Sequence, residues 1–146
     1  MPSPVVPPEQ SSTEAPRTAH PPMTVASVMG EIVWLMTQSP VHKHLFLADL
    51  EWLVMPPVLL SQYRIFRVQD RPVGVAFWAF LTEEAEARLK GGNPRLRPDE
   101  WKAGDRAWLI DLVAPFGKPE VMLKDLKEVV FRNLNLNILG PSINES

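Results

Sequence analysis

Two places in this sequence set a polar side chain where the surrounding pattern is apolar. The first is Ser39-Pro40-Val41-His42, a polar corner between two apolar stretches of helical spacing. The second is Asp111, the only charged residue between Trp108 and Phe116. An imidazole, with an unperturbed pKa near 6.5, takes up and returns a proton around neutral pH. A carboxylate in an apolar strand loses hydration and needs a partner. Brought together, a carboxylate orients an imidazole and favours its charged form, so these residue types admit a His–Asp dyad. They equally admit a plainer reading. Ser39 then caps a helix, His42 is a hydrogen-bonded turn residue, and Asp111 is held by backbone amides or ends a strand.

Other chemistries are easier to set aside. The chain has no cysteine, which removes disulfides, thiolate metal sites and a Cys nucleophile; this suits the cytosol without fixing the compartment. Its three histidines, His20, His42 and His44, make a poor metal set, so no metal site is expected. No phosphate-cradling loop, dinucleotide fingerprint or nucleophile elbow is present. A formal charge of -2 argues against nucleic acid as a partner. No apolar run approaches the roughly 18 residues that span a bilayer. Trp34, Met36, Trp52, Met55, Trp78, Trp101 and Trp108 read as core, although some of them could instead line an acyl-chain groove. Arg88, Lys90, Arg95, Arg97, Lys102 and Arg106, interleaved with Asp99, Glu100 and Asp105, read as a solvated face or as a docking site for an acidic partner.

The elements that must position these residues follow from the patterning. Seven of the chain's 16 prolines fall in residues 1–22, a composition that buries little, so 1–23 is expected to be a disordered proline-rich tail and not a secretory signal. His20 is then solvated. A single domain over 24–146 is expected to follow, opened by Thr24 as the cap of a helix over 25–38. Pro40 disfavours helical geometry at Ser39 and ends that helix. A second helix is expected from about His44 to Val54, ending before Pro56-Pro57. Alternation then predicts strands over 62–68 and 73–80, joined at Asp70-Arg71-Pro72 as a hairpin. Thr82 caps a charged helix over 83–90 that stops at Gly91-Gly92. Pro98 to Trp101 suggests one helical turn. A largely apolar third strand over 106–113 is read as central, followed by a helix from Pro119 to about Phe131 and a last strand over 134–139. The order predicts an α+β fold, an α/β sandwich of one mixed sheet with helices on both faces.

Around the same residues the sequence resembles a known family, the toxin-activating lysine acyltransferases that convert RTX protoxins to active toxins. The matching segments are GEIVWLMTQSPVH (30–42), Pro56 with Gln62-Tyr63, Pro72-Val73 with Phe77-Trp78-Ala79, and above all WKAGDRAWLIDLVAPFG (101–117). The last carries the long pattern W-x-x-G-D-R-x-W-x-I-D-x-x-A-P-F-G, and the resemblance runs over about residues 28–132. It implies a fold similar to the GNAT acetyltransferases, a cytoplasmic location, and transfer of a fatty acyl group from acyl-acyl carrier protein to internal lysines of an RTX-type protoxin. It implies no bound cofactor, and it leaves a homodimer open. The family's essential histidine falls on His42, its serine on Ser39 and its aspartate on Asp111. The Q/R-x-x-G-x-G/A loop that holds the coenzyme A pyrophosphate in ordinary GNAT enzymes is missing, which agrees with a carrier-protein donor.

That chemistry needs a base. A lysine amine of pKa about 10.4 is neutral in roughly 1 molecule in 2,500 at pH 7, so forming the nucleophile costs about 4–5 kcal/mol. We expect His42 to take the proton, Asp111 to fix the tautomer of His42 and stabilise its cationic form, and Ser39 to position His42 or donate to the oxyanion, with a backbone amide near the turn completing the hole. An acyl-His42 intermediate is the rival route. A non-catalytic relative that binds acyl carrier protein or an RTX-like partner is the alternative function.

Overall fold

The computed structural model describes residues 23–139. All but the last residue of the expected proline-rich tail, His20 included, lies outside the described residues. Helix α1 (Val25–Gln38) starts under a reciprocal cap: the Ser27 amide donates to Thr24 Oγ1 (3.1 Å) and the Thr24 amide donates to Ser27 Oγ (2.9 Å). Val28, Ile32, Leu35 and Met36 form its buried stripe. Ser39 is already extended, at φ -95 and ψ 123, as the following proline requires.

The second helix departs from expectation. Residues 40–44 form turns, and helix resumes only at α2 (Asp49–Leu53), followed at once by α3 (Met55–Leu59). Asp49 accepts bonds from the Phe46 amide (2.8 Å) and from Trp52 Nε1 (2.9 Å), which ties the start of α2 to the preceding loop. Pro56 and Pro57 do not lie beyond a helix end. They sit in the first turn of α3, where a missing N–H costs nothing because no intrahelical acceptor awaits it.

Strands β1 (Tyr63–Val68) and β2 (Arg71–Leu81) pair antiparallel. Their turn is centred on Gln69-Asp70, both at positive φ (51 and 69), one residue earlier than the Asp70-Arg-Pro signal suggests. Two left-handed residues match the twist of the strands they join. Helix α4 (Glu83–Lys90) follows, then one tight turn at Pro98–Glu100. Strand β3 (Arg106–Val113) lies between β2 and β4 (Asn137–Ile138), antiparallel to the first and parallel to the second. The sheet order is β1-β2-β3-β4. The last strand is thus a two-residue contact, much shorter than the apolar spacing of 134–139 implies. Helix α5 (Pro119–Asp125) continues as a wider turn to Val130.

The sheet is covered on both sides. Val75, Phe77, Ala79 and Leu81 of β2 pack with α1, α3 and α4, while Ala76 and Trp78 pack with Met122, Leu126 and Phe131. No helix among the described residues is long and apolar enough to cross a membrane.

Segment 101–105 is clamped onto the end of β2. Gln62 Nε2 donates to the carbonyls of Trp78 and Trp101 (both 3.0 Å), the Phe80 amide to Trp101 O (2.8 Å), and the Gly104 amide to Phe80 O (2.9 Å). A Cβ on Gly104 would run into the Leu81 carbonyl and the Thr82 amide, which are backbone and cannot rotate away. Gly104→Ala is therefore expected to destabilise the fold by about 1–3 kcal/mol, read as a lower unfolding midpoint in denaturant. An unchanged midpoint contradicts the clamp.

Candidate active site

Asp111 owes its direction to an irregularity in β3. Strict alternation from Trp108 and Ile110, which face the α1 side, would turn Asp111 to the α5 side with Ala107 and Leu109. The pairing with β2 instead steps from Trp78↔Leu109 to Phe77↔Asp111, leaving Ile110 as the extra residue of a β-bulge. Directly opposed residues share a face, so Asp111 lies on the side of Phe77, under α1. The bulge re-aims one carboxylate.

His42 reaches the same place from above. Pro40 breaks α1, and the chain turns back on itself through bonds from the Lys43 amide to Ser39 O (2.9 Å) and from the Leu45 amide to His42 O (3.1 Å). The imidazole then bridges two side chains. Its Nε2 lies 3.0 Å from both Oδ1 and Oδ2 of Asp111, and its Nδ1 lies 2.7 Å from Ser39 Oγ. An ionised carboxylate only accepts, so Nε2 carries the proton and donates it to Asp111. In the neutral ring Nδ1 is then the lone-pair nitrogen, and the Ser39 hydroxyl donates to it. Ser39 Oγ also accepts from the His42 amide (3.2 Å), and Asp111 Oδ1 accepts from the Leu112 amide (2.8 Å). The site residues read from the sequence are thus brought together, and the plainer roles are present too: a serine holding a turn, an aspartate held by an amide.

Solvent reaches the centre sparingly. Ser39 is buried, the His42 side chain is 12% exposed and that of Asp111 is 24% exposed. The turn itself presents Val41, Phe46 and Leu47 outward, with Phe46 78% and Leu47 83% exposed. A small cavity of about 110 Å³ runs beneath Phe46 and Leu47 and touches His42, Val33 and Leu50. This apolar rim is hidden in the sequence, because helical spacing assigns 44–54 to one buried-faced helix. Trp78, Trp101 and Trp108 are core, whereas Trp34 is 46% exposed and packs its ring 5.9 Å from that of Phe116.

The basic neighbourhood around 88–106 folds onto its own acids. Glu86 accepts from Trp108 Nε1 (2.7 Å) and pairs with Arg106 (3.1 Å); Glu100 pairs with Arg88 (2.7 Å) and accepts from the Arg97 amide (2.8 Å). Burial pushes the Glu100 carboxyl up, but bonds from Arg88 and the Arg97 amide and both guanidinium charges outweigh it and hold it below 4.5. These ties brace α4, the turn at 98–100 and β3 against one another. Among the described residues, no group of three His, Asp or Glu side chains is placed to hold a metal ion.

The sequence model of the family described as "HlyC: RTX toxin acyltransferase family" matches residues 21–144. The chain is 36% identical over 102 residues to the RTX-II toxin-activating lysine-acyltransferase ApxIIC of Actinobacillus pleuropneumoniae, covering 70% of this chain and 64% of that protein. It is 35% identical over 103 residues to the leukotoxin-activating lysine-acyltransferase LktC of Pasteurella haemolytica-like sp. (strain 5943B), 70% of this chain and 62% of that one. It is 29% identical over 120 residues to the protein-lysine myristoyltransferase RtxC of Kingella kingae, 80% of this chain and 72% of that one. The match thus spans a little under two thirds of the first two relatives.

Proposed function

We infer the function of this chain from its family: it belongs to the RTX toxin acyltransferase family. We read it as a protein-lysine N-acyltransferase that moves a fatty acyl group from acyl-acyl carrier protein to the ε-amine of internal lysines in an RTX-type protoxin, in the cytoplasm. The observation that carries the reading is the His42 ring held between Asp111 and Ser39, a base with its tautomer set, beside an apolar rim. The names of the relatives support lysine as acceptor, a toxin as substrate and, in one case, myristoyl as the group moved. The four-stranded mixed sheet with helices on both faces is compatible with a GNAT-like arrangement.

In this mechanism Nδ1 of His42 is the base. As the amine nitrogen attacks the thioester carbonyl, its proton passes to Nδ1, and the ring becomes cationic against the Asp111 carboxylate 3.0 Å away. Charge created next to a fixed opposite charge needs little reorganisation, which is the electrostatic part of the catalysis. The tetrahedral intermediate then collapses, the carrier thiolate leaves, and it takes a proton to become the free thiol. Ser39 stands on the basic nitrogen, so the amine either displaces it or passes its proton through Ser39 Oγ.

Ser39→Ala separates these roles. Loss of one positioning hydrogen bond worth about 1–2 kcal/mol lowers the turnover number roughly 5- to 30-fold. We expect that modest loss, with KM for the acceptor little changed and the fold retained by circular dichroism. Turnover equal to the unsubstituted chain removes Ser39 from the mechanism, and complete loss makes its hydroxyl an obligatory proton carrier. The function itself is tested by co-expressing the chain with a protoxin and searching the toxin for acylated lysine by mass spectrometry. A toxin equally unmodified with and without the chain refutes the transfer.

A further inference from the structure

A second cavity lies across the sheet from the dyad. It is about 570 Å³ in volume and lies among the outer strand β1, the loop after β3 and helix α5, with Phe66, Val73, Val121 and Met122 on its apolar walls. The Arg64–Asp125 ion pair (2.7 Å) ties β1 to α5 along one side. At its other end, Val73 and Phe116 are shared with an open trough lined also by Trp34 and Pro72. Trp34 is 46% and Phe116 55% exposed, and their rings lie 5.9 Å apart. Both residues are anchored to the catalytic elements. Trp34 is five residues before Ser39 on and just beyond α1, about 8 Å along a helix, and Phe116 is five residues after Asp111, at most about 16 Å along an extended chain.

We propose that this trough and cavity hold the fatty acyl chain of the donor, its thioester at His42 and its terminal methyl between β1 and α5. The assignment rests on the acyl-transfer reading above and adds where the chain goes. Size decides between occupants. At roughly 30 Å³ per methylene, close to the share of a water molecule, a chain of about 14–16 carbons needs roughly 420–480 Å³; the trough takes the carbons nearer the thioester, and the cavity of about 570 Å³ has room for the rest. The 110 Å³ space beside His42 holds only about four such groups. A partner helix about 10 Å across and 15 Å long fills roughly 1,200 Å³ and does not fit. Each methylene moved from water onto these walls strengthens binding roughly fourfold, so long chains are favoured over short ones until the cavity is full.

The test uses the whole chain with acyl carrier protein bearing a hexadecanoyl group whose terminal carbon carries a photoreactive diazirine. Irradiation followed by peptide mapping is expected to place the adducts on residues 63–68 and 118–125. Val121→Trp, at a position 58% exposed and thus open to a large side chain, is expected to lower their yield at least tenfold. Adducts confined to residues 40–50, adducts scattered over the surface, or a yield that Val121→Trp leaves unchanged overturn the assignment. Labelling needs no turnover, so the outcomes separate. Adducts in the cavity with no lysine acylated in an added protoxin leave the chain site standing and remove the transfer reading alone.

Discussion

His42→Ala is expected to abolish acyl transfer, lowering kcat at least about 10³-fold, while the protein stays folded. General-base help is worth roughly 10²–10⁴-fold, and here the base must also offset the cost of a lysine that is almost wholly protonated at neutral pH. The fold should survive because the ring belongs to a turn outside both apolar clusters of the core. Its loss removes two bonds to Asp111 and one to Ser39, yet Asp111 keeps the Leu112 amide and Ser39 keeps the His42 amide. Circular dichroism and the unfolding midpoint check the fold, and a single-turnover assay reads the transfer. A folded variant with near-normal transfer would remove His42 from the chemistry. The same assay without acceptor separates the two routes: a labelled acyl group that stays on the wild-type chain, and is missing from the variant, favours the covalent intermediate.

The second large effect is expected from Asp111→Asn. The exchange keeps size and shape but replaces one acceptor oxygen by an NH₂ donor. If that donor faces Nε2, the ring must accept there, its proton moves to Nδ1, and the basic lone pair on the Ser39 side is lost. If the amide oxygen faces Nε2 instead, the tautomer survives but the negative charge that balances the cationic ring does not. Both orientations lower the turnover number, by about 10²–10⁴-fold; the equivalent exchange in the Ser–His–Asp arrangement of proteases costs on the order of 10⁴. Steady-state kinetics should show the loss in kcat, with KM for both substrates within a few fold. A loss in KM alone would make Asp111 a binding residue and not the partner of a base.

The residue types of the site were legible in the sequence, and their meeting was not. Ser39 and His42 stand out as a polar corner made by Pro40, and Asp111 as a lone charge in an apolar strand, because desolvation makes such placements costly without a reason. Periodicity alone points Asp111 the wrong way. It is the extra residue Ile110, a property of how β2 and β3 pair and not of either strand, that turns the carboxylate toward α1. A resemblance spanning Trp101 to Gly117 carried the pairing that spacing could not.

The fold divides in the same manner. Helices α1 and α4 and strand β3 were readable because local signals agree: a capping threonine, an amphipathic stripe, a proline or glycine stop. The stretch from His44 to Leu59 misleads because Asp49 delays the helix and the proline pair starts a new one rather than closing the old. The last strand shrinks to Asn137–Ile138 because its pairing depends on a neighbour distant in sequence. Likewise the spacing of Arg88, Arg97 and Arg106 does not show that Glu100 and Glu86 pair with them.

Acylation of lysine through His42 is read directly in one reaction. Purified chain, acyl-acyl carrier protein and an RTX-type protoxin are combined, and the toxin is digested and sequenced by tandem mass spectrometry. The expected result is the mass of one fatty acyl group on the ε-amine of an internal lysine, present with the unsubstituted chain and missing with His42→Ala. Unmodified lysines with the unsubstituted chain, or the same acylated lysine with both, would contradict it.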